Sequence, residues 1–505
     1  MKKTIYNIIV AAAAFVLFQA CSLKENPDDI VSPYNFFQNE EQIRAALNGC
    51  YDNLNHIHDF RYYIAIEGAT DLASTNGSAQ RDAKFAINPA SPGAGTNVWQ
   101  ETWYGIRYCL STIAGIQRSP VAGNIKIAYE AEARVLASYY WYILTSFFGD
   151  VPFYEDYVET DEDMLRIQKM GRMDADVTRA TLIDELLEYV PALPQVRTCD
   201  DRGNKGYCGA AMGWMMIAKL AAWNKDWDNV INACEHLEAM YGPLSQYPYS
   251  DVMFRNKLTP ESIFEIQHVY EKGGADYIPR YSLGISAVTL PYPKTAGTNI
   301  YCSVTIEEVG DEATCYTPLR PTNYMKTSVQ KNGLGDIRRE YNMVSSWNGV
   351  SFKGGTTWMG PKFWCPGIYQ NYDNNNYKIF RYADAVLLLA EAWCEKGSYQ
   401  KSLAYLNEVR DRAGLDPYYF VNAVKLRGEI RDERGRELFG EWGRKYDLVR
   451  WGIWYDQVVA YNLYNLVQEN VRPCHRYYPI PDVQCQRSGR ALSNPEYEKF
   501  NLNGD

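Results

Sequence analysis

The apolar positions of this chain fall mostly at spacings of three and four. In EEQIRAALNGCYDNL, from Glu40 to Leu54, the residues Ile43, Ala46, Leu47, Cys50, Tyr51 and Leu54 make one stripe along a helix. A second helix of this kind runs from Val98 to Ile116. A third stretch, AYEAEARVLASYYWYILTSFFGDVP, is apolar almost all round from Val135 to Phe148, which predicts a helix central to the core. Gly149 and Pro152 end it.

Two later stretches share one pattern. GYCGAAMGWMMIAKLAAWNKDWDNVINACEHLEAMYG, from Gly206, and FRYADAVLLLAEAWCEKGSYQKSLAYLNEVRDRAG, from Phe380, each predict a helix ending in Ala-Trp, a polar turn, an aromatic and a second helix. Ala390, Trp393, Gly397, Tyr399 and Leu406 fit the small-and-large alternation of a tetratricopeptide repeat, about 34 residues long. Helix pairs of that kind bury their faces only by stacking. Between Tyr270 and Tyr377 the helical period fades and glycine, proline and aromatics rise, with alternating runs such as ESIFEIQHVY at the edge predicting strands. The expected fold is mainly α: a tetratricopeptide-like helical platform over about 36–241 and 378–460. It carries a loop-rich insertion with small β elements over about 260–377, and 21–505 is read as one domain. Irregular insertions on a rigid scaffold are where binding residues concentrate.

Composition narrows the function. With a net charge of −10 and 22% charged residues there is no basic footprint for nucleic acid and no polybasic patch for anionic lipid. The 41 tyrosines and 13 tryptophans suit both helix packing and ligand stacking. None of the 12 cysteines forms a CxxC pair of the zinc or redox kind. Cys50, Cys109, Cys234 and Cys394 fall on apolar helical faces and are expected buried as thiols. Cys199 with Cys208, Cys302 with Cys315, and Cys474 with Cys485 each bracket a polar loop and are candidate disulfides in an oxidising compartment.

At the N-terminus, Lys2 and Lys3 precede an uncharged run from Ile8 to Phe18, then Ala20 and Cys21. That is the layout of a secretory signal over residues 1–20, with an apolar middle too short to span a bilayer. The cysteine after the small residue resembles the bacterial lipoprotein box, although Phe18 stands where that box usually has leucine. The box implies that Cys21 is the lipidated first residue of the mature chain, a tether held in a membrane by several acyl chains.

Near the C-terminus the chain reads EIRDERGRELFGEWGRKYDLVRWG from Glu429 and YYPIP from Tyr477. These stretches resemble the SusD/RagB family of Bacteroidetes outer-membrane lipoproteins, whose ERxxEL-xxEGxRxxDLxRWG block is matched by Glu433, Arg434, Glu437, Leu438, Glu441, Gly443, Arg444, Asp447, Leu448, Arg450, Trp451 and Gly452. The family's EARxLRAxYYF…GDVP helix is matched by Glu132 to Arg134, Leu136, Tyr139, Tyr140 and Gly149 to Pro152. Its closing YPIP and Asn-Pro-x-Tyr are matched by Tyr478 to Pro481 and by Asn494, Pro495 and Tyr497. Ser138, Ser493 and Glu496 depart from the usual residues. The resemblance implies a helical scaffold that lies as a lid on a SusC-like TonB-dependent transporter at the cell exterior. It implies capture of oligosaccharides, or of oligopeptides in RagAB-type members, without catalysis.

A surface glycoside hydrolase is the catalytic alternative, and it would need two carboxylates, one with a raised pKa. Here Glu433, Glu437, Glu441 and Asp447 are interleaved with Arg431, Arg434, Arg436, Arg444 and Arg450, whose charges favour ionised carboxylates. The block therefore reads as a structural ion-pair lattice. There is no HExxH, GxSxG, P-loop or strand-linked GxGxxG, and no cofactor is expected. The YDNNNY run from Tyr372 offers oxygens for a structural calcium, a polar turn being the commoner use.

A sugar presents apolar C–H faces and hydroxyl rims, so its site needs aromatic platforms beside amides and charges. Two places combine these. One is the segment holding Asp71, Arg81 and Trp99, with Glu67 and Asp71 matching a pattern the family shows after the first helix; Trp99 and Trp103 lie one helical turn apart, so one of them is expected in the core. The other is the loop-rich region with Tyr292, Trp347 and Trp358.

Overall fold

The structure, a computed structural model, describes residues 36–75, 81–195, 206–268, 319–331, 335–347, 350–351, 355–365, 375–441 and 443–500. The expected signal segment and Cys21 lie outside the described residues, and so does Tyr292.

Helix α1 (Glu40–Ile57) begins where the Asn39 side chain accepts from the Gln42 N–H, with Glu40 and Glu41 in the first turn complementing the helix dipole. It is followed by α2 (Phe60–Ile66), α3 (Gly95–Arg118), α4 (Gly123–Phe148), α5 (Ala175–Tyr189), α6 (Ala210–Asn224) and α7 (Trp227–Tyr241). After the insertion come α8 (Tyr382–Glu395), α9 (Tyr399–Arg412), α10 (Ala423–Glu437), α11 (Arg444–Arg450) and α12 (Trp454–Tyr461). Neighbours in space follow chain order: α1 packs on α3, α3 on α4, α4 on α5, and so on through α7 and α8 to α9 and α10. This is the stacked helix-pair platform that the periodicity predicts. The two matching stretches become α6/α7 and α8/α9, each pair turning through a left-handed residue, Lys225 in one and Gly397 in the other.

The all-round apolar helix is α4, in which every residue from Val135 to Phe148 is buried. Its partner α3 approaches so closely that a Cβ on Gly105 would lie 2.3 Å from the Tyr140 ring. Gly149, at φ +75°, ends α4 in a conformation that glycine adopts without strain.

The strands are short: β1 (Ala73–Thr75), β2 (Ser262–Ile266), β3 (Leu319–Pro321), β4 (Met343–Val344), β5 (Ser346–Trp347), β6 (Val350–Ser351), β7 (Trp358–Met359) and β8 (Tyr377–Arg381). They form antiparallel pairs, β1 with β3, β2 with β8, β4 with β7 and β5 with β6. The alternating ESIFEIQHVY run does make a strand, but all five residues of β2 are buried, because α6 covers the ribbon it forms with β8. Cys50, Cys109, Cys234 and Cys394 are buried thiols as expected. Cys474 and Cys485 are also separate buried thiols, so that candidate bridge is not formed. Of the other candidates, Cys208 is a buried thiol, and Cys199, Cys302 and Cys315 lie outside the described residues.

Candidate functional site

The carboxylates of the ERGREL block are the first place to look for chemistry, and they are occupied by arginines. Glu437 meets Arg338 at 2.9 Å, Arg381 at 2.6 Å and Arg412 in a closer contact. Glu433 meets Arg338 at 2.6 Å and Arg436 at 2.7 Å, and Glu441 meets Arg381 at 2.7 Å and Lys362 at 2.5 Å. Asp447 takes Arg434 at 2.8 Å and Arg450 at 2.9 Å. Burial alone would push the Glu437 carboxyl up, but the guanidinium charges of Arg412, Arg381 and Arg338 outweigh it and hold the group well below the usual carboxylate range. The same balance of burial against nearby cations depresses Glu433, Glu441 and Asp447. A glycosidase acid needs the reverse. The lattice fixes α10 and α11 to β8 and to the short helix Arg338–Asn342, as the interleaved charges predict. The small cavity beside it, about 30 Å³ and lined by His58, Tyr139, Lys219, Asp384 and Arg434, has room for water and not for a sugar.

Glu67 and Asp71 belong to the same clamp. The Glu67 carboxylate accepts from the Gly443 and Arg444 N–H groups at 2.8 and 3.1 Å, and burial pushes it up to about 7 despite those bonds. Asp71 is fully buried and pairs with Arg444 at 2.7 Å. It holds α11 in place and presents nothing to a ligand, which corrects its expected role. Trp99 is likewise core, 6% exposed and edge-on to Trp103 and Phe148. Trp358 is 2% exposed in β7 and serves as the floor beneath Arg320, whose guanidinium lies 4.1 Å from the ring centroid. Trp347 is in β5, its side chain outside the described residues.

Arg81 is exposed and donates to Ser91 Oγ at 2.7 Å. It lines a surface hollow of about 480 Å³ with Arg61, Asp82, Ser91 and Thr96, in which no aromatic takes part. The Asp/Asn run is described only from Asn375 onward, where Asn376 donates to Glu265 and Gln267 at 2.9 Å each. Among the described residues no group of three or more His, Cys, Asp or Glu side chains is placed to hold a metal.

The cleft with the chemistry a sugar requires lies elsewhere, at the open end of the β1–β3 pair. It holds about 250 Å³ and is lined by Ser74, Thr75, Arg320, Asn323, Lys326 and Tyr461, together with Pro321, Thr322, Thr356, Thr357, Leu463 and Tyr464. The register Ser74↔Arg320 sets hydroxyl beside guanidinium. Tyr324 and Tyr461 stack 3.8 Å apart at 14°, a stiff aromatic shelf fixed further by the Tyr324 hydroxyl donating to Asp432 at 3.2 Å. Asn462 Nδ2 donates to the Thr70 and Ala73 carbonyls, which brings the α12 end against β1 from nearly four hundred residues away in sequence. Thr75 Oγ1, buried at the wall, has no hydrogen-bond partner among the described residues. Sequence reasoning missed this cleft. Its tyrosines sit in AYNLYNL at the end of a helix, and no periodicity places that segment beside residue 74.

Comparison with known proteins bears on the platform that carries the cleft. Residues 322–497, which include the ion-pair block, match the pattern of the SusD family. The SusD-like protein P25 of Formosa agariphila is 26% identical over 95% of this chain and 97% of its own. The chain is similar to a SusD-like protein along nearly its whole length. Among solved structures, surface glycan-binding protein A from Bacteroides uniformis superimposes with a TM-score of 0.71 at 22% identity, over 90% of this chain and 99% of that one. Surface glycan-binding protein A from Bacteroides thetaiotaomicron in complex with laminarihexaose gives 0.68 at 19% identity, over 90% and 98%. At those identities the likeness establishes the SusD-like helical fold. The motifs from Glu429 and Tyr477 pointed to the same family.

Proposed function

We propose that this chain is a non-catalytic, lipid-anchored glycan-binding protein of the outer-membrane surface, which captures oligosaccharides in the β1–β3 cleft and passes them to a SusC-like TonB-dependent transporter. The observation that carries the binding reading is the cleft itself. It combines Tyr461, held by its stacking on Tyr324, with a row of hydroxyls, an amide and two cations on a rigid platform, and a preordered aromatic of this kind loses little entropy on contact. The relatives named for glycan binding support the class of ligand. Anchoring through Cys21 follows from the lipoprotein-like box. Among the described residues no helix is long and apolar enough to cross a membrane, which is consistent with attachment by lipid. The depressed carboxylates of the lattice support the absence of hydrolysis.

Calorimetric titration of the mature domain, from Ser22 without lipid, against oligosaccharide and oligopeptide panels tests the reading. Saturable binding of a glycan, weakened about tenfold by Tyr461→Ala, is expected; tenfold is about 1.4 kcal/mol, in the range of one aromatic contact. Binding of peptides alone moves the cargo to the other class. New reducing ends appearing in the mixture would show an enzyme instead.

A further inference from the structure

We propose that Asp432 is a positioning residue for the glycan cleft: by holding the Tyr324 hydroxyl it sets the ring on which Tyr461 rests. The inference rests on the glycan-binding reading of the cleft and adds the residue that orients its aromatic wall.

Asp432 belongs to the charged block of α10, and it is used differently from its neighbours. Glu429 pairs with Arg436 and, at 2.7 Å, with Arg410. Glu433 meets Arg338 at 2.6 Å and Arg436 at 2.7 Å. Asp432 Oδ1 accepts from the Tyr324 hydroxyl at 3.2 Å, a contact between residues 108 positions apart. Burial raises the Tyr324 hydroxyl and the charges of Asp432 and Asp71 raise it further, so the proton stays on the phenol oxygen and the tyrosine is the donor. Burial also raises the Asp432 carboxyl, while the guanidinium charges of Arg436 and Arg444 act against the rise and favour the anion. A bond donated to an ionised oxygen is stronger than one between neutral groups.

The bond reaches the cleft by two routes. Tyr461 lines the cleft, and Tyr324 stacks on it with ring centroids 3.8 Å apart and planes at 14°. Stacking fixes the plane of a ring but lets it slide over its partner; anchoring the hydroxyl removes the slide. Tyr324 also opens the short helical segment Met325–Val329, from which Lys326 lines the same cleft. The other end of the aromatic wall is held from the main chain, because Asn462, fully buried and next to Tyr461, donates to the Thr70 and Ala73 carbonyls at 3.1 and 3.4 Å. Tyr461 is therefore fixed at its backbone by Asn462 and at its ring by Tyr324, whose own place depends on Asp432. An aromatic held in its bound orientation loses little freedom when a sugar stacks on it, and a released one returns that cost to the binding step. Through Asp432 the ion-pair block that ties the helices together also sets the cleft.

The test is a double-variant cycle in calorimetric titrations of the mature domain. Fragments of β-glucan, α-glucan, xylan and polygalacturonate are compared on wild type, and the fragment it binds most tightly is used throughout. Tyr324→Phe removes the hydroxyl and keeps the stacked ring; Asp432→Ala removes the acceptor. Each is expected to weaken binding about fivefold, and the double variant about fivefold as well, since the same bond is lost in all three. Melting temperatures equal to wild type are the check on folding. A purely structural role for Asp432, against Arg436 and Arg444, would cost as much without the Tyr324 hydroxyl as with it, so losses that multiply to about twenty-five-fold overturn the inference. Affinity within about twofold of wild type in Tyr324→Phe overturns it too and leaves the glycan-binding reading standing; that variant decides the matter even where Asp432→Ala fails to fold. Wild type that binds none of the fragments overturns both readings.

Discussion

Replacing Lys445 by methionine should make the protein more stable. Lys445 lies on α11, 1% exposed, and its Nζ has no hydrogen-bond partner among the described residues. Its ammonium sits over two rings, 5.3 Å from the centroid of Trp454 and 4.6 Å from that of Tyr478. The facing titratable groups are Asp82, which already accepts from the Ala94 N–H and the Tyr478 hydroxyl, and His475. Burial lowers the Lys445 pKa from 10.5 to about 7, against the pull of Asp82. At 1.36 kcal/mol for each pH unit between the two values, the buried charge costs on the order of 5 kcal/mol below pH 7. Cation–π attraction to two desolvated rings offsets about 2 kcal/mol of that. Methionine keeps the unbranched shape without the charge, so Lys445→Met is expected to gain about 3 kcal/mol at pH 6.5. Between about pH 7 and 10.5 the unfolded chain holds a proton that the folded chain has released, so wild-type stability rises with pH there and the advantage of the variant shrinks by up to about 1.4 kcal/mol per pH unit. Urea unfolding of both proteins at pH 6.5 and 9 reads the difference directly. A variant less stable at pH 6.5, or an advantage that does not change with pH, would refute the account of a buried ammonium that gives up its proton near pH 7.

Glu437→Gln removes a carboxylate that three guanidinium groups share, and it should destabilise by about 3–5 kcal/mol in the same assay, because buried positive charge is left uncompensated. Burial lowers His58 to about 3, His268 to about 4 and His475 to about 3. Each is neutral when folded and protonates first in the unfolded chain, so melting temperature should fall as pH drops below about 6.5, with up to about 1.4 kcal/mol per pH unit from each group. The raised Glu67 carboxyl opposes this over the same range, so an NMR titration of the three imidazoles is the check, and a ring that protonates above about pH 5.5 in the folded protein would show that it is not buried as a neutral group. Gly105→Ala should cost about 1–3 kcal/mol, measured by urea unfolding, since the new methyl meets the Tyr140 ring in the α3–α4 contact. Peptide mapping of unreduced protein should find Cys474 and Cys485 as separate thiols.

The local record in the sequence determined most of the scaffold. Spacings of three and four fixed α1, α3 and α4, buried from Val135 to Phe148, and the Ala-Trp turns fixed the α6/α7 and α8/α9 pairs, because helical burial is decided by neighbours within one or two turns. The alternating acids and bases of the ERGREL block pointed to a lattice with depressed carboxylates, and pairs such as Glu433–Arg436 and Asp447–Arg450 do lie within it, but the cations on Glu437 and Glu441 come from Arg338, Arg381, Arg412 and Lys362 on other elements. The sequence by itself did not place the candidate site. Trp99, Trp358 and Asp71 carry the side chains a sugar site would use, and tertiary packing put all three inside. The cleft instead joins Ser74 and Thr75 to Arg320 and Lys326 and then to Tyr461, three segments brought together by β1–β3 pairing and by the Asn462 side chain. Which aromatics stay at the surface depends on contacts between residues hundreds of positions apart. No local pattern encodes those contacts; only the closed fold decides them.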